Sequence, residues 1–103
     1  MLFRSDADDL AREGAVSEVV AMQMAAGAQS RLGTDWGLGI TGVAGPGGGT
    51  PDKPVGLVYV GLASPDGTAI ARELRLGDTR GREWVRRVSG NSALDLLRQA
   101  LLA

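Results

Sequence analysis

Read only for apolar and polar positions, the chain switches period several times. From Ser17 to about Leu32, Val20, Met24, Gly27, Ala28 and Leu32 recur at helical spacing, while Glu18, Gln29 and Arg31 take the polar side. Ser17 suits an N-cap, Glu18 meets the positive end of the helix dipole, and Gly33 stands where a helix stop is expected. The small residues Ala25, Ala26, Gly27 and Ala28 predict that this helix lies close against a sheet. Trp36, Leu38 and Ile40 then alternate with Gly37 and Gly39, giving a strand with one bulky face and one nearly bare. A bare face admits a neighbouring backbone.

Val55 to Ala63 is an almost unbroken apolar run, the pattern of a central strand covered on both sides. Ser64-Pro65-Asp66-Gly67 reads as a turn, so the next strand, Thr68 to about Leu76, runs back antiparallel. Ile70 and Leu74 alternate there with Glu73 and Arg75, as in a half-exposed strand at or near an edge. Beyond the break at Gly77 to Gly81, Trp84, Val85, Val88, Leu94, Leu97 and Leu101 spread over one side of a helix that nearly reaches the C-terminus, with Gly90 and Asn91 weakening its middle. Upstream, Asp6 to Arg12 holds Leu10 as its one large apolar residue and reads as a short helix in need of a surface. The order implies a layered α/β domain, an α/β/α sandwich with about three strands and two main helices. Two helices are few to cover a central strand on both faces, so the sandwich is expected to be incomplete.

Length and charge narrow the functions open to such a domain. At 103 residues the chain is one domain with room for one site. Eleven basic and twelve acidic residues leave a net charge of −1, so no broad positive field exists for nucleic acid or an anionic membrane. The chain has neither cysteine nor histidine, which removes disulfides, thiolate nucleophiles, histidine bases and Cys/His zinc sites. Only Ser, Thr, Tyr, Lys, Arg and carboxylates remain for chemistry. No run approaches a membrane span, and Met1 to Ser5 is too short for a secretory core, so a cytoplasmic location is expected.

Three features can carry chemistry. The run Gly42-Val43-Ala44-Gly45-Pro46-Gly47-Gly48-Gly49-Thr50-Pro51-Asp52-Lys53-Pro54 joins two buried strands, and a loop of this length in a small domain is usually functional or disordered. It is no Walker motif, since Lys53 lies between Asp52 and Pro54, but its amides can converge on an anion. Thr41 closes the first strand at the mouth of this loop, either as a ligand-facing hydroxyl or as a β-branched strand filler. Arg80, Arg82, Arg86 and Arg87 crowd the start of the last helix, where cations oppose the dipole. They form either a solvated face or a bidentate fork for phosphate or carboxylate. A hydroxyl and amine pair of Lys53 with Thr50 or Ser64 is a further, weaker arrangement.

Thr41-Gly42-Val43-Ala44-Gly45-Pro46-Gly47-Gly48-Gly49 followed by Lys53-Pro54-Val55-Gly56-Leu57-Val58-Tyr59 resembles the C-terminal domain of the competence/damage-inducible CinA family, which includes nicotinamide mononucleotide deamidases. The resemblance extends through Glu13-Gly14-Ala15-Val16-Ser17-Glu18 and through Gly81-Arg82-Glu83-Trp84-Val85-Arg86 to Ala93-Leu94-Asp95-Leu96-Leu97. It implies an amidohydrolase of pyridine-nucleotide salvage, converting nicotinamide mononucleotide to nicotinate mononucleotide and ammonia with no cofactor or metal. It further implies a homodimer for the complete protein. The family's serine, in a Glu-Ser-Cys-Thr-Gly-Gly motif, and its downstream lysine and nearby tyrosine belong to an N-terminal half that has no counterpart here. The chain thus resembles a truncated domain, expected to be inactive alone.

By the same resemblance, Thr41 and Arg82 carry over as catalytic positions, with Gly42, Ala44 and Gly45 orienting the ligand or its oxyanion. Arg80 is the alternative to Arg82 as the anion contact, because it follows a literal Gly77-Asp78 pair, and a small insertion separates the two registers. Two other readings stay open: a noncatalytic nucleotide- or phosphate-binding module, and a self-association domain using Trp36 and Trp84.

Overall fold

The computed structural model describes residues 16–43, 49–51 and 53–102. The upstream helix expected over Asp6 to Arg12, and the loop positions Ala44 and Gly45, lie outside the described residues. Helix α1 spans Glu18–Leu32, strands β1, β2 and β3 span Gly37–Gly42, Leu57–Ala63 and Ala69–Arg75, and helix α2 spans Gly81–Leu102. The strands form an antiparallel sheet in the order β1-β2-β3, with β2 buried along its whole length. The expected α/β layering is therefore present, with two helices and three strands, α1 on one face and α2 on the other.

The helix ends follow their local chemistry. The Ser17 hydroxyl accepts from the Val20 N–H at 3.2 Å, and Gly33 closes α1 in the left-handed region at φ 63°. The turn after β2 forms as expected, with Gly67 N–H donating to the Ser64 carbonyl at 3.1 Å and φ 89° at Gly67. Gly90 and Asn91 do not interrupt α2, a single helix of 22 residues.

Small residues decide how the layers meet. A Cβ at Gly39 would lie 2.6 Å from the Ala21 carbonyl oxygen, and Cβ atoms at Gly37 and Gly61 would strike the carbonyls of Ala25 and Ala21. The bare strand face therefore receives the backbone of α1 directly, and the buried helix residues are Val20, Ala21, Ala25 and Gly27. This shifts the expected stripe: Leu32 is 57% exposed, because a large side chain has no room between α1 and a glycine-faced strand. Gln29, expected in water, is half-buried and donates to the carbonyls of Asp35 (2.7 Å) and Ser64 (3.0 Å), tying the end of α1 to both neighbouring strands.

On the other face the bulk belongs to the sheet. Val58, Val60 and Leu62 pack against Val85, Ala93 and Leu96 of α2, with Leu38, Leu74 and Trp84 around them. The buried seam of α2 is Val85, Ser89, Ala93 and Leu96, so Leu94 and Leu101, expected on the core side, are 61% and 59% exposed. Ser89 satisfies its hydroxyl within the helix by donating to the Val85 carbonyl at 2.6 Å. Trp36 and Trp84 both pack against this core. Among the described residues no helix is long and apolar enough to cross a membrane.

Candidate functional site

Strand alternation assigns the residues at the end of β1 to different faces. Gly37 and Gly39 face α1, so Thr41 does as well, opposite Tyr59 in the register. Gly42 faces the α2 side, where an added Cβ would meet Val58 at 2.7 Å. Thr41 does not line the cavity that Arg82 lines. Arg82 instead shares a cavity of about 400 Å³ with Gly42, Ile40, Val58, Val85 and Arg86. The structure thus brings together Gly42 and Arg82 and leaves Thr41 on the opposite face.

Arg82 and Arg86 stand one helical turn apart, so their guanidinium groups rise from the same side of α2. Arg72 and Arg75 of the sheet and Arg98 of α2 are engaged with neighbouring side chains. Arg72 donates to Gln99 at 2.9 Å and lies 3.7 Å from Asp95, Arg75 meets Glu73 at 3.0 Å, and Arg98 meets Asp95 at 2.8 Å. The Arg80 guanidinium lies 5.0 Å from the centre of the Trp84 ring, a cation–π contact, and Arg80 does not line Arg82's cavity. No carboxylate engages Arg82 or Arg86 among the described residues. Two cations at the mouth of a cavity with an apolar floor of Ile40, Val58 and Val85 suit a ligand with an anionic end and a flat, weakly polar body.

The opposite face carries a polar cluster that pattern reading passed over. Tyr59 is 8% exposed, and its hydroxyl donates to Glu73 Oε1 at 2.9 Å. Burial, and then the bond to Glu73, push the phenol above its ordinary value of 10.0. The Tyr59 hydroxyl, and then Arg75, hold the Glu73 carboxyl below its ordinary 4.5. The Lys53 ammonium lies 5.6 Å from the Tyr59 ring centre and donates to the Val16 carbonyl at 2.7 Å. Lys53 is therefore engaged away from Thr50 and Ser64; the Thr50 hydroxyl accepts from the Lys53 backbone N–H at 3.0 Å. The readable signal was the cross-strand pairing of Tyr59 with Glu73.

Another cavity, about 750 Å³, is lined by Thr50, Pro54, Gly56, Arg75 and Asp78. Its one arginine is paired with Glu73 and an aspartate lines it, so it suits an anion less well than the Arg82 cavity.

The structure is a two-helix, three-strand α/β body with a cationic cavity at a strand end. The family model described as the CinA C-terminal domain matches residues 1–101, and the chain belongs to that family. The CinA-like protein of Thermosynechococcus vestitus is 60% identical over 95 residues, covering 92% of this chain and 23% of that protein. The CinA-like protein of Synechococcus elongatus is 59% identical over 101 residues, covering 98% of this chain and 24% of that protein. The chain thus spans about a quarter of the length of these curated relatives. Among solved structures, the competence/damage inducible protein CihA of Agrobacterium tumefaciens superposes with a TM-score of 0.86 at 39% identity, covering 91% of this chain and 56% of that one. A CinA superfamily protein of Escherichia coli gives 0.83 at 33% identity, covering 92% and 54%.

Proposed function

We propose that this chain supplies the anion-binding part of a nicotinamide mononucleotide amidohydrolase, with Arg82 and Arg86 holding the phosphate of the nucleotide. The observation that carries the reading is the pair of arginines without carboxylate partners at the mouth of the Gly42 cavity. Gly42 leaves the close approach that a side chain would block.

Hydrolysis of a carboxamide needs a nucleophile for the carbonyl carbon, donors for the oxyanion and a proton for the departing ammonia. The Glu-Ser-Cys-Thr-Gly-Gly motif is not in these 103 residues, which contain no cysteine. The nucleophile therefore comes from other polypeptide, and the chain alone binds without turning over. Thr41 works from the α1 face of the strand end, beside Tyr59, and reaches a substrate only where the ligand passes around the tip of β1. The complete protein acts in the cytoplasm as a homodimer in this reading.

Calorimetric titration of the 103-residue chain with nicotinamide mononucleotide, and with nicotinamide riboside as the form lacking phosphate, tests this. Binding of the nucleotide should exceed that of the riboside, and Arg82→Ala should weaken it about tenfold to a hundredfold, the range for a charge-assisted hydrogen bond of about 1.5–3 kcal/mol. Equal affinity for both ligands, or no change in the variant, would remove the phosphate role. A noncatalytic binding module gives the same titration but releases no ammonia when the remainder of the domain is restored.

A further inference from the structure

The charges at the end of β3 are oriented but not used up. Both oxygens of Glu73 are engaged: Oε1 accepts from the buried Tyr59 hydroxyl at 2.9 Å, and Oε2 accepts from Arg75 Nε at 3.0 Å. A carboxylate fixed by a buried phenol thus holds the Arg75 guanidinium by its Nε edge, the kind of support that orients a binding group. Among the described residues the two terminal nitrogens of Arg75 have no partner, and Asp78 makes no hydrogen bond or ion pair. Arg75 and Asp78 line the same cavity of about 750 Å³, yet no ion pair joins them.

The backbone between the two charges is clamped. Leu76 N–H donates to the Gly56 carbonyl at 2.8 Å, and Gly56 N–H donates to the Val43 carbonyl at 2.6 Å. Gly77 turns in the left-handed region at φ 77° with its backbone against Gly56, where an added Cβ would strike the Gly77 carbonyl and amide. Thr50 and Lys53 close a turn of their own, Thr50 N–H on the Lys53 carbonyl at 2.9 Å and Lys53 N–H on the Thr50 hydroxyl at 3.0 Å. Pro51, Pro54 and Val55 add apolar lining. We propose that this cavity binds a small zwitterion, an ammonium carboxylate of amino-acid size with an apolar side chain. Its carboxylate meets the two terminal nitrogens of Arg75, its ammonium donates to Asp78, and its side chain lies on Pro51, Pro54 and Val55. A plain anion is repelled by Asp78 and a plain cation by Arg75, so neither gains from both charges. Nicotinamide mononucleotide is no substitute, because its pyridinium nitrogen has no N–H to give Asp78. The inference therefore stands on this cavity alone, whether or not the Arg82 cavity takes a nucleotide.

Backbone amide NMR titration of the 103-residue chain with L-leucine tests this. Both charges are exposed to water, which keeps each contact weak, so saturation with a dissociation constant of about 0.1–1 mM is expected. The amides of Thr50, Val55, Gly56, Gly77 and Asp78 should shift together while those of Arg82 and Arg86 stay in place. Isocaproate, which lacks the ammonium, and isoamylamine, which lacks the carboxylate, should each bind at least about tenfold more weakly than leucine. Asp78→Asn, at an exposed position with no described bond to lose, should weaken leucine about tenfold and leave isocaproate bound as well as before or better. Arg75→Gln should weaken leucine by a similar factor of about ten. No saturable shift below about 10 mM leucine, isocaproate or isoamylamine binding as tightly as leucine, or a leucine affinity unmoved by Asp78→Asn would each overturn the proposal.

Discussion

The two faces of the sheet solve opposite packing problems. Toward α1 the strands give up their side chains, and helix backbone rests on Gly37, Gly39 and Gly61. Toward α2 the strands keep Val58, Val60 and Leu62, and the helix meets them with Ser89 and Ala93 between Val85 and Leu96. Close backbone contact leaves no space for a ligand, whereas side-chain packing between the sheet and α2 leaves the cavity that Arg82 and Arg86 flank. One face is closed by backbone contact, and the other keeps the cavity proposed above as the site.

The sharpest way to break this contrast is to add a methyl group where only hydrogen fits. Gly61→Ala forces its Cβ onto the Ala21 carbonyl and should cost about 3 kcal/mol or more, lowering the melting temperature by more than about 10 °C. On the other face the damaging change is a deletion: Leu96→Ala opens a void beside Val58 and Val60 and should cost about 2 kcal/mol in urea unfolding. A Gly61→Ala protein as stable as the parent would mean that α1 can lift away, and the contrast would fail.

Much of this was readable from residues alone. The Ser17 cap, the Gly33 stop, the fully covered β2 and the glycine face of β1 all follow from local chemistry. The buried stripes of both helices were legible only in part: Val20, Gly27 and Val85 are buried as expected, but the reading favoured large apolar residues, and Leu32, Leu94 and Leu101 are exposed. Which helix positions face a sheet depends on what the strands already fill, and that complementarity is not local. Thr41 and Arg82 were expected in one half-pocket; strand parity separates them, since the side chain at position 41 follows Gly39 toward α1 while Gly42 turns toward Arg82.

Smaller effects sharpen the description of the α1 face. Ser17→Ala removes the bond to the Val20 N–H and should cost about 1 kcal/mol by thermal unfolding. Tyr59→Phe removes the bond to Glu73 at a similar or smaller cost of about 1 kcal/mol, and its signature is in pH. The folded state holds the phenol proton more tightly than the unfolded chain, so the parent loses stability as pH rises through 10.0 toward the higher folded value. Glu73 works in the other direction: its depressed value contributes stability above 4.5 that is lost as pH falls through the folded value. The Phe variant should lack the alkaline loss and show a reduced acid loss, measured by urea unfolding across pH.

The most direct test of the central claim, that ligand handling belongs to the α2 face of the strand end, is a backbone amide NMR titration of the chain with nicotinamide mononucleotide. The amides of Gly42, Arg82, Val85 and Arg86 should shift together and saturate with one affinity, while Tyr59 and Glu73 stay in place. Shifts centred on Tyr59 and Glu73, or on Thr50, Gly56 and Arg75, with Arg82 unmoved, would contradict it.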